Sequence, residues 1–483
     1  MKYKVATLAG LVCVVVVLFF PFSKFLPDKQ RYHQHREAPK ATELSLETGE
    51  DITTHLPLLT LDTQGAAIPG MQREKAFAQS TLQVFDNGTS ENRLTDEPKI
   101  STFANIKYRG NTSLHFDKKS YLVKLTDKDG NEKGEEMLGM PKHDNWILNG
   151  PFLDKTLIRN YLCMNISGEM MEYAPRVRFC ELIVNGEYQG VYLLMEQIAQ
   201  GEDRVDISKY KDGNPFTSYI IRADRGDVPE NELNNFTKYT HWMAENTEQT
   251  RYVFNIEYPG TSHLTPELVK YIEKDFSAME KALYSYDYDS DQYGYETFAD
   301  VDSFVDYFII NEFFQNYDAG LFSTYYYKDV RGKFHIGPVW DFNNACDNYV
   351  EEVHDGTGFV LQNRIWYFML TKDKGFIDRV VMRYHELRKG LLSEENLMQY
   401  IDGTIEYLGP AVERNFSIWG YTFDPEQMNR WSVLKPVGRN LTSYDEAVSQ
   451  LKGFLKKRGD WMDENIETLY QYSHDSKNKK FNH

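Results

Sequence analysis

The sequence predicts an α+β fold of two lobes, on three observations. From Leu56 to Lys124, short apolar runs (LPLLTLDT, STLQVFD, ISTFANIKYRG, KSYLVKL) are separated by Gly, Asn and Asp, the pattern of strands joined by turns. After about residue 265, apolar residues recur every three to four positions over long stretches, the helical period. Within that helical half lies a hairpin-like insertion, Ser323–Lys328 and Lys333–Val339, joined by Asp329-Val330-Arg331-Gly332. At 483 residues, 41% hydrophobic and 14% aromatic, the chain is long enough for two or three domains or for one large two-lobed domain.

Residues 5–20 (VATLAGLVCVVVVLFF) are almost purely apolar behind Met-Lys-Tyr-Lys, which predicts a secretory leader or a single membrane anchor over 1–22. No small-x-small cleavage site stands out, which favours an uncleaved anchor. Lys2 and Lys4 favour a cytoplasmic amino terminus, whereas Lys24, Lys29, Arg31 and Arg36 oppose it; the export reading puts the bulk of the chain outside the cytoplasm. Residues 23–55 are polar and read as a tether. Residues 56–200 read as the strand-rich lobe, interrupted by a helix over 154–171 with Asp154 as N-cap and Leu157, Tyr161, Leu162 and Ile166 at helical spacing. The strands VRFCELIVN and GVYLLMEQI follow, with Asn185-Gly186 as a type I′ hairpin signal. Residues 201–474 read as a helical lobe, with helices over 266–283, 301–316, 362–388, 394–416 and 443–472, and 475–483 as a polar tail.

The net charge of −18 argues against nucleic acid as the main partner, because a phosphate backbone needs a basic surface. The charge is uneven. Residues 101–160 hold ten Lys/Arg against eight Asp/Glu, while 281–350 hold four against twelve. A basic region facing an acidic one suits an anionic ligand bridged by metal, although ordinary surface variation gives the same counts. The four cysteines, at 13, 163, 180 and 346, have no zinc-ligand spacing and read as buried thiols.

The hairpin carries an acid at each end. Asp318 sits in the short polar loop NYDAG after the amphipathic run 301–316, a place for an exposed functional acid or for a turn former. Asp341 follows Val339-Trp340 and precedes Phe342, where an acid either reaches a cleft or caps a turn. Hairpin closure brings the two ends together. Protein kinases use this pairing: one Asp orients the attacking hydroxyl, and a second, just before a Phe, holds Mg²⁺ on the phosphates.

Six segments then occur in order: KYRGNTS (107–113), KKSYLVKL (118–125), DKTLIRN (154–160), VNGEYQGVYLLMEQI (184–198), NEFFQNYD (311–318) and PVWDF (338–342). Together they resemble the spore-coat CotH-type atypical protein kinases, over nearly everything from Leu56 to about residue 470. The resemblance implies a two-lobed, kinase-like fold that binds ATP with Mg²⁺ (or Mn²⁺) and phosphorylates serine or threonine of a protein substrate. Asp318 matches the family's catalytic Asp and Asp341 its metal-binding Asp. Arg109 and Gly110 match its Arg-Gly turn near the nucleotide. Lys119 and Lys124 follow on the next strand, on opposite faces because five positions separate them, and position favours Lys124 for the phosphates. Asp154 and Arg159 are placed to orient a lysine or a phosphate, or to make a cap and an ion pair. Glu196 ends a strand where kinases put the adenine-contacting hinge. Two departures weaken the hold on metal. Ser323 stands where the family usually has Asn, and Asn343 replaces the second acid of its WDxD motif, with Asp347 or Asn344 in reach to compensate. A catalytically degenerate surface-binding or adhesion module, and an enzyme moving another group from ATP, are the competing readings.

Overall fold

The computed structural model describes residues 31–42, 45–70, 76–88, 91–225, 231–236 and 253–476. The apolar segment 5–20 lies outside the described residues, and among those described no helix is long and apolar enough to cross a membrane.

Seven strands close into a barrel: β1 (Leu58–Asp62), β2 (Ala78–Phe85), β3 (Ile100–Arg109), β4 (Ser120–Thr126), β5 (Asn145–Asn149), β6 (Val177–Val184) and β7 (Glu187–Glu196). The order is β6-β7-β5-β4-β3-β2-β1, closed by parallel pairing of Leu58–Leu61 with Glu181–Val184. Alternation sets what each face does. Inward residues such as Leu82, Ile106, Val123, Trp146, Leu182 and Leu194 form one dry core. Outward residues of β5, β6 and β7 (Ile147, Phe179, Leu193) join a second, larger core with the helices. Strands buried on both faces read as continuous apolar runs, which is why VRFCELIVN shows no alternation.

The helix α2 (Arg159–Met170) is buried on nearly all sides, so its apolar stripe is faint in sequence. It starts five residues later than the spacing suggests. Leu157 has φ 65°, outside the helical region, and the Asp154 carboxylate accepts from the backbone N–H groups of Thr156 and Arg159 across that turn. The short helix α1 (Gln34–Glu37) also corrects an expectation. The region predicted as a tether over 23–55 contains a docked segment from His33 onward. Gln34 bridges both backbone groups of Phe179, at 3.1 and 2.6 Å, and His35 Nδ1 lies 2.9 Å from the Tyr161 hydroxyl. Polar composition there reflects hydrogen bonding in a buried groove rather than solvation.

The second half is not purely helical. The strands β8 (Tyr219–Asp224) and β9 (Val253–Tyr258) join the hairpin strands β10 (Thr324–Lys328) and β11 (Phe334–Ile336) in a sheet ordered β9-β8-β10-β11. The last strand stops at Ile336, short of the predicted Val339, where Gly337-Pro338 ends pairing. Around the sheet pack α3 (Pro266–Leu283), α4 (Val301–Phe313), α5 (Tyr367–Leu370), α6 (Lys374–Arg388), α7 (Glu394–Leu408), α8 (Pro410–Trp419) and α9 (Tyr444–Asn465). Two predicted helices are each broken in two. Asp373 N-caps α6, accepting from Gly375 N at 2.8 Å, and Gly409 at φ 44° turns α7 into α8, with Pro410 at the first position.

Candidate active site

The helix α4 delivers the loop that carries Asp318, and that loop is fixed through its backbone. The Arg364 guanidinium donates to the carbonyls of Tyr317 and Ala319, on either side of Asp318, and stacks over the Tyr317 ring. Below it, the fully buried Arg458–Glu312 pair is saturated: Arg458 also donates to the Gly356 and Gly358 carbonyls, and Glu312 accepts from Val360 N and Leu361 N. Gly320 N donates to Thr324 Oγ1 at 2.8 Å, tying the loop to β10. The Asp318 carboxylate itself is lightly held. Among the described residues it accepts one hydrogen bond, from Asn344 Nδ2 at 2.7 Å. Burial, and then the nearby Asp341 charge, push it up to about 7, where a carboxylate can exchange a proton near neutral pH.

Asp341 is held in the opposite manner, through its side chain. It sits at φ 57° between the buried Trp340 and Phe342. Its Oδ1 accepts from Asn343 N at 3.3 Å and Asn343 Nδ2 at 2.6 Å, leaving Oδ2 without a hydrogen bond among the described residues. Asn343 Oδ1 accepts from Asn160 Nδ2, which also reaches Asn149 Oδ1 on β5; Asn160 Oδ1 in turn accepts from Phe342 N. A relay of amides thus runs from the outer face of the barrel through α2 to Asp341. Burial raises the Asp341 pKa and the Arg109 charge opposes that rise.

The structure brings some predicted residues to this place and not others. Arg109, at the end of β3, lies within electrostatic reach of Asp341 and over the Trp340 ring at 5.5 Å. Gly110 has φ 121°, and a Cβ there would lie 1.8 Å from Ser113 Oγ, so the turn requires glycine. Lys124 projects from the outer barrel face beside Lys107, the two ammonium groups 5.5 and 5.0 Å from the Phe77 ring centre. Lys119 instead donates to the Leu114 carbonyl at 2.7 Å and secures the turn after Gly110. Asp154 and Arg159 pair with each other at 2.5 Å, both buried, and Arg159 reaches Gln450, so they brace the fold rather than face a ligand. Glu196 is likewise committed, to Arg176 at 2.9 Å and the Tyr173 hydroxyl at 3.1 Å, so only its backbone is at the strand end for a hinge contact. Ser323 directly precedes β10, at φ 50°. Asp347 is bound by Arg439 at 2.7 Å and does not compensate, whereas Asn344 reaches Asp318.

Sequence reasoning missed Asp224, Arg222 and Arg225 on β8 and just after it, and the amides Asn149 and Asn160. Asp224 is buried and acts electrostatically on both Asp318 and Asp341. Arg222 holds Asp224 at 3.0 Å and Glu257 at 2.8 Å. The signal was present in SYIIRADR, an apolar run ending in alternating charges, inside a stretch assigned to the helical lobe.

With that geometry in view, comparison with known proteins decides the family. The family model described as CotH kinase protein matches residues 106–462, most of the chain. The chain belongs to the CotH kinase protein family. It is also similar to the inner spore coat protein H of Bacillus subtilis (strain 168), at 21% identity over 377 residues, covering 75% of this chain and 87% of that protein. The match spans both aspartates, the Arg109-Gly110 turn and the amide relay. Against the family pattern, Asn343 holds a place expected to help ligate metal, but its oxygen is spent on Asn160 and its amino group on Asp341, so it aims Asp341. Among the described residues no group of three or more Asp, Glu, His or Cys is arranged to hold a metal. The oxygen donors nevertheless fit Mg²⁺, which takes one or two carboxylates with the remaining positions filled by phosphate and water. The Asp341 charge raises the proton affinity of Asp318, and Asp224 raises that of both; a cation held here with a phosphate would relieve that repulsion.

Proposed function

We propose that this chain is an ATP-dependent protein kinase, using Mg²⁺ or Mn²⁺, that phosphorylates Ser or Thr hydroxyls of a protein substrate outside the cytoplasm. In this reading the barrel and the helical half are the two lobes of a kinase-like fold, with ATP between them. The observation that carries it is the pair of aspartates held for two different tasks, one at about 7 with a lightly bonded carboxylate, one aimed by a relay. Asp318 takes the proton of the acceptor hydroxyl as its oxygen attacks the γ-phosphorus. The bond from that phosphorus to the β–γ bridging oxygen breaks, and ADP leaves with the electron pair. Asp341 would hold the metal, which when bound neutralises phosphate charge. Arg109 and Lys124 set positive charge along the barrel face on which the phosphates lie. Export through the apolar segment 5–20, as anchor or secretory leader, and the coat location named for the relative, support an acceptor met in a coat or at a surface.

The test is γ-phosphate transfer by the full-length chain with Mg²⁺ or Mn²⁺, read as autophosphorylation and as ATP-induced thermal stabilisation. Metal-dependent transfer lost in Asp318→Ala and Asp341→Ala is expected. ATP binding with no transfer under any condition would favour a second reading, a non-catalytic binding module, for which the diversion of Asn343 from the metal is the supporting observation.

A further inference from the structure

We propose that Arg225 is a further catalytic residue, contacting the phosphoryl group as it is transferred; this rests on the phosphoryl-transfer reading of the same cleft. Arg225 follows β8 directly, and its guanidinium lies 3.9 Å from the centre of the Phe322 ring, four residues after Asp318 in the same loop. Phe322 N donates to the Asp318 carbonyl at 2.8 Å, so the ring that Arg225 stacks on is part of the turn that presents Asp318. The Arg225 charge acts on the Asp318 carboxylate. From the barrel side, the Asn111 carboxamide, oriented to satisfy both groups, accepts from Arg225 Nε and Nη1 at 3.2 Å. Asn111 is the second residue after Arg109, beyond the obligatory Gly110. The guanidinium therefore links the turn after Arg109-Gly110 to the loop that carries Asp318.

The acids nearby do not consume it. Asp224 is 3.9 Å from Arg225 Nη1 but 3.0 Å from Arg222. The Arg225 side chain keeps 43% of its exposure, and Nη2 makes none of these contacts. A planar, permanently charged fork, stacked on one face and gripped at Nε and Nη1, is pre-organised to offer its remaining N–H groups to phosphoryl oxygens. In the transfer step the hydroxyl oxygen bonds to the γ-phosphorus, its proton passes to Asp318, and the β–γ bridging bond breaks toward ADP. Charge spreads over the equatorial oxygens of the moving group, and Arg225 meets that charge.

The experiment compares the parent, Arg225→Ala and Arg225→Lys as full-length proteins with Mg²⁺, measuring kcat, KM for ATP, ADP affinity and thermal stability, with free guanidinium added at millimolar levels. The expected result is a kcat about 100- to 1,000-fold lower in Arg225→Ala, with ADP affinity changed by less than about twofold. Guanidinium should recover part of the loss, and Arg225→Lys should remain impaired because an ammonium neither stacks nor forks. A kcat within about threefold of the parent would overturn the proposal. So would a parallel loss of ADP affinity and stability without guanidinium rescue, which marks a residue that only docks the barrel turn through Asn111. A parent that neither transfers phosphate nor binds ATP better than ADP would overturn the kinase reading itself, and Arg225's role with it.

Discussion

Asp341 lies within electrostatic reach of Asp318, yet the chain holds the two in opposite ways. The Asp318 backbone is held by Arg364, which donates to the carbonyls on either side of it, while among the described residues its carboxylate accepts a single hydrogen bond. The Asp341 carboxylate is itself aimed, by Asn343, Asn160 and Asn149 in series. A base must bind and release a proton, so its carboxylate should not be saturated with donors. A metal ligand must present a fixed oxygen, so its supporting groups are as informative as the ligand.

The largest expected effect separates these two proposed roles. Asp318→Asn and Asp341→Asn should each lower transfer by roughly a thousandfold or more. Only Asp341→Asn should also abolish the metal-dependent part of ATP stabilisation, seen as a loss of the Tm difference between Mg²⁺ and chelator. Equal loss of that difference in both variants would erase the distinction.

The next effect tests the relay. Asn160→Ala leaves Asp341 in place but removes the donor to Asn343 and the acceptor for Phe342 N. Metal affinity should fall about 10- to 100-fold, at a stability cost of roughly 1–3 kcal/mol from the unpaired groups. Arg364→Ala, by contrast, should lower kcat while leaving metal affinity near the parent's, since it loosens only the Asp318 loop. Titration of each variant with Mn²⁺ or Mg²⁺, followed by fluorescence or calorimetry, checks both.

Much of this was legible in sequence, in proportion to how local the determinants are. Helix α3 starts and stops where Thr265, Pro266 and the apolar period say it should, because caps and amphipathic stripes are local signals. Asp318 and Asp341 were visible because the hairpin between them is short. Helix α2 began late because the Asp154 carboxylate holds Thr156 N and Arg159 N across a turn with Leu157 left-handed, and the docked His33–Glu37 segment looked solvated because its partners, Tyr161, Phe179 and Tyr400, lie far along the chain. Strand β8 was missed for the same reason. It pairs with β9 and β10 across long loops, so Asp224 and Arg225 gave no local sign of reaching the cleft. The buried thiols expected from the sequence are present, with Cys163 lying against the distant Cys346.

The smallest effect concerns the resting protein and follows from proton linkage. Asp318 stands at about 7 when folded against 3.8 ordinarily, chiefly through burial. The folded state therefore binds this proton more tightly than the unfolded state. Its contribution to stability is fully present below 3.8 and is lost as pH rises through about 7. At about pH 8 without metal, the ionised carboxylate is a burden that Asp318→Asn removes, so the variant should be the more stable by roughly 1–2 kcal/mol, a figure discounted for partial exposure. That advantage should shrink steadily on acidification toward about pH 5. Thermal melts of both proteins across this range measure it. A difference that stays constant with pH would mean the carboxylate is not desolvated in the resting cleft, and its light bonding would then be mere exposure rather than the poise of a base.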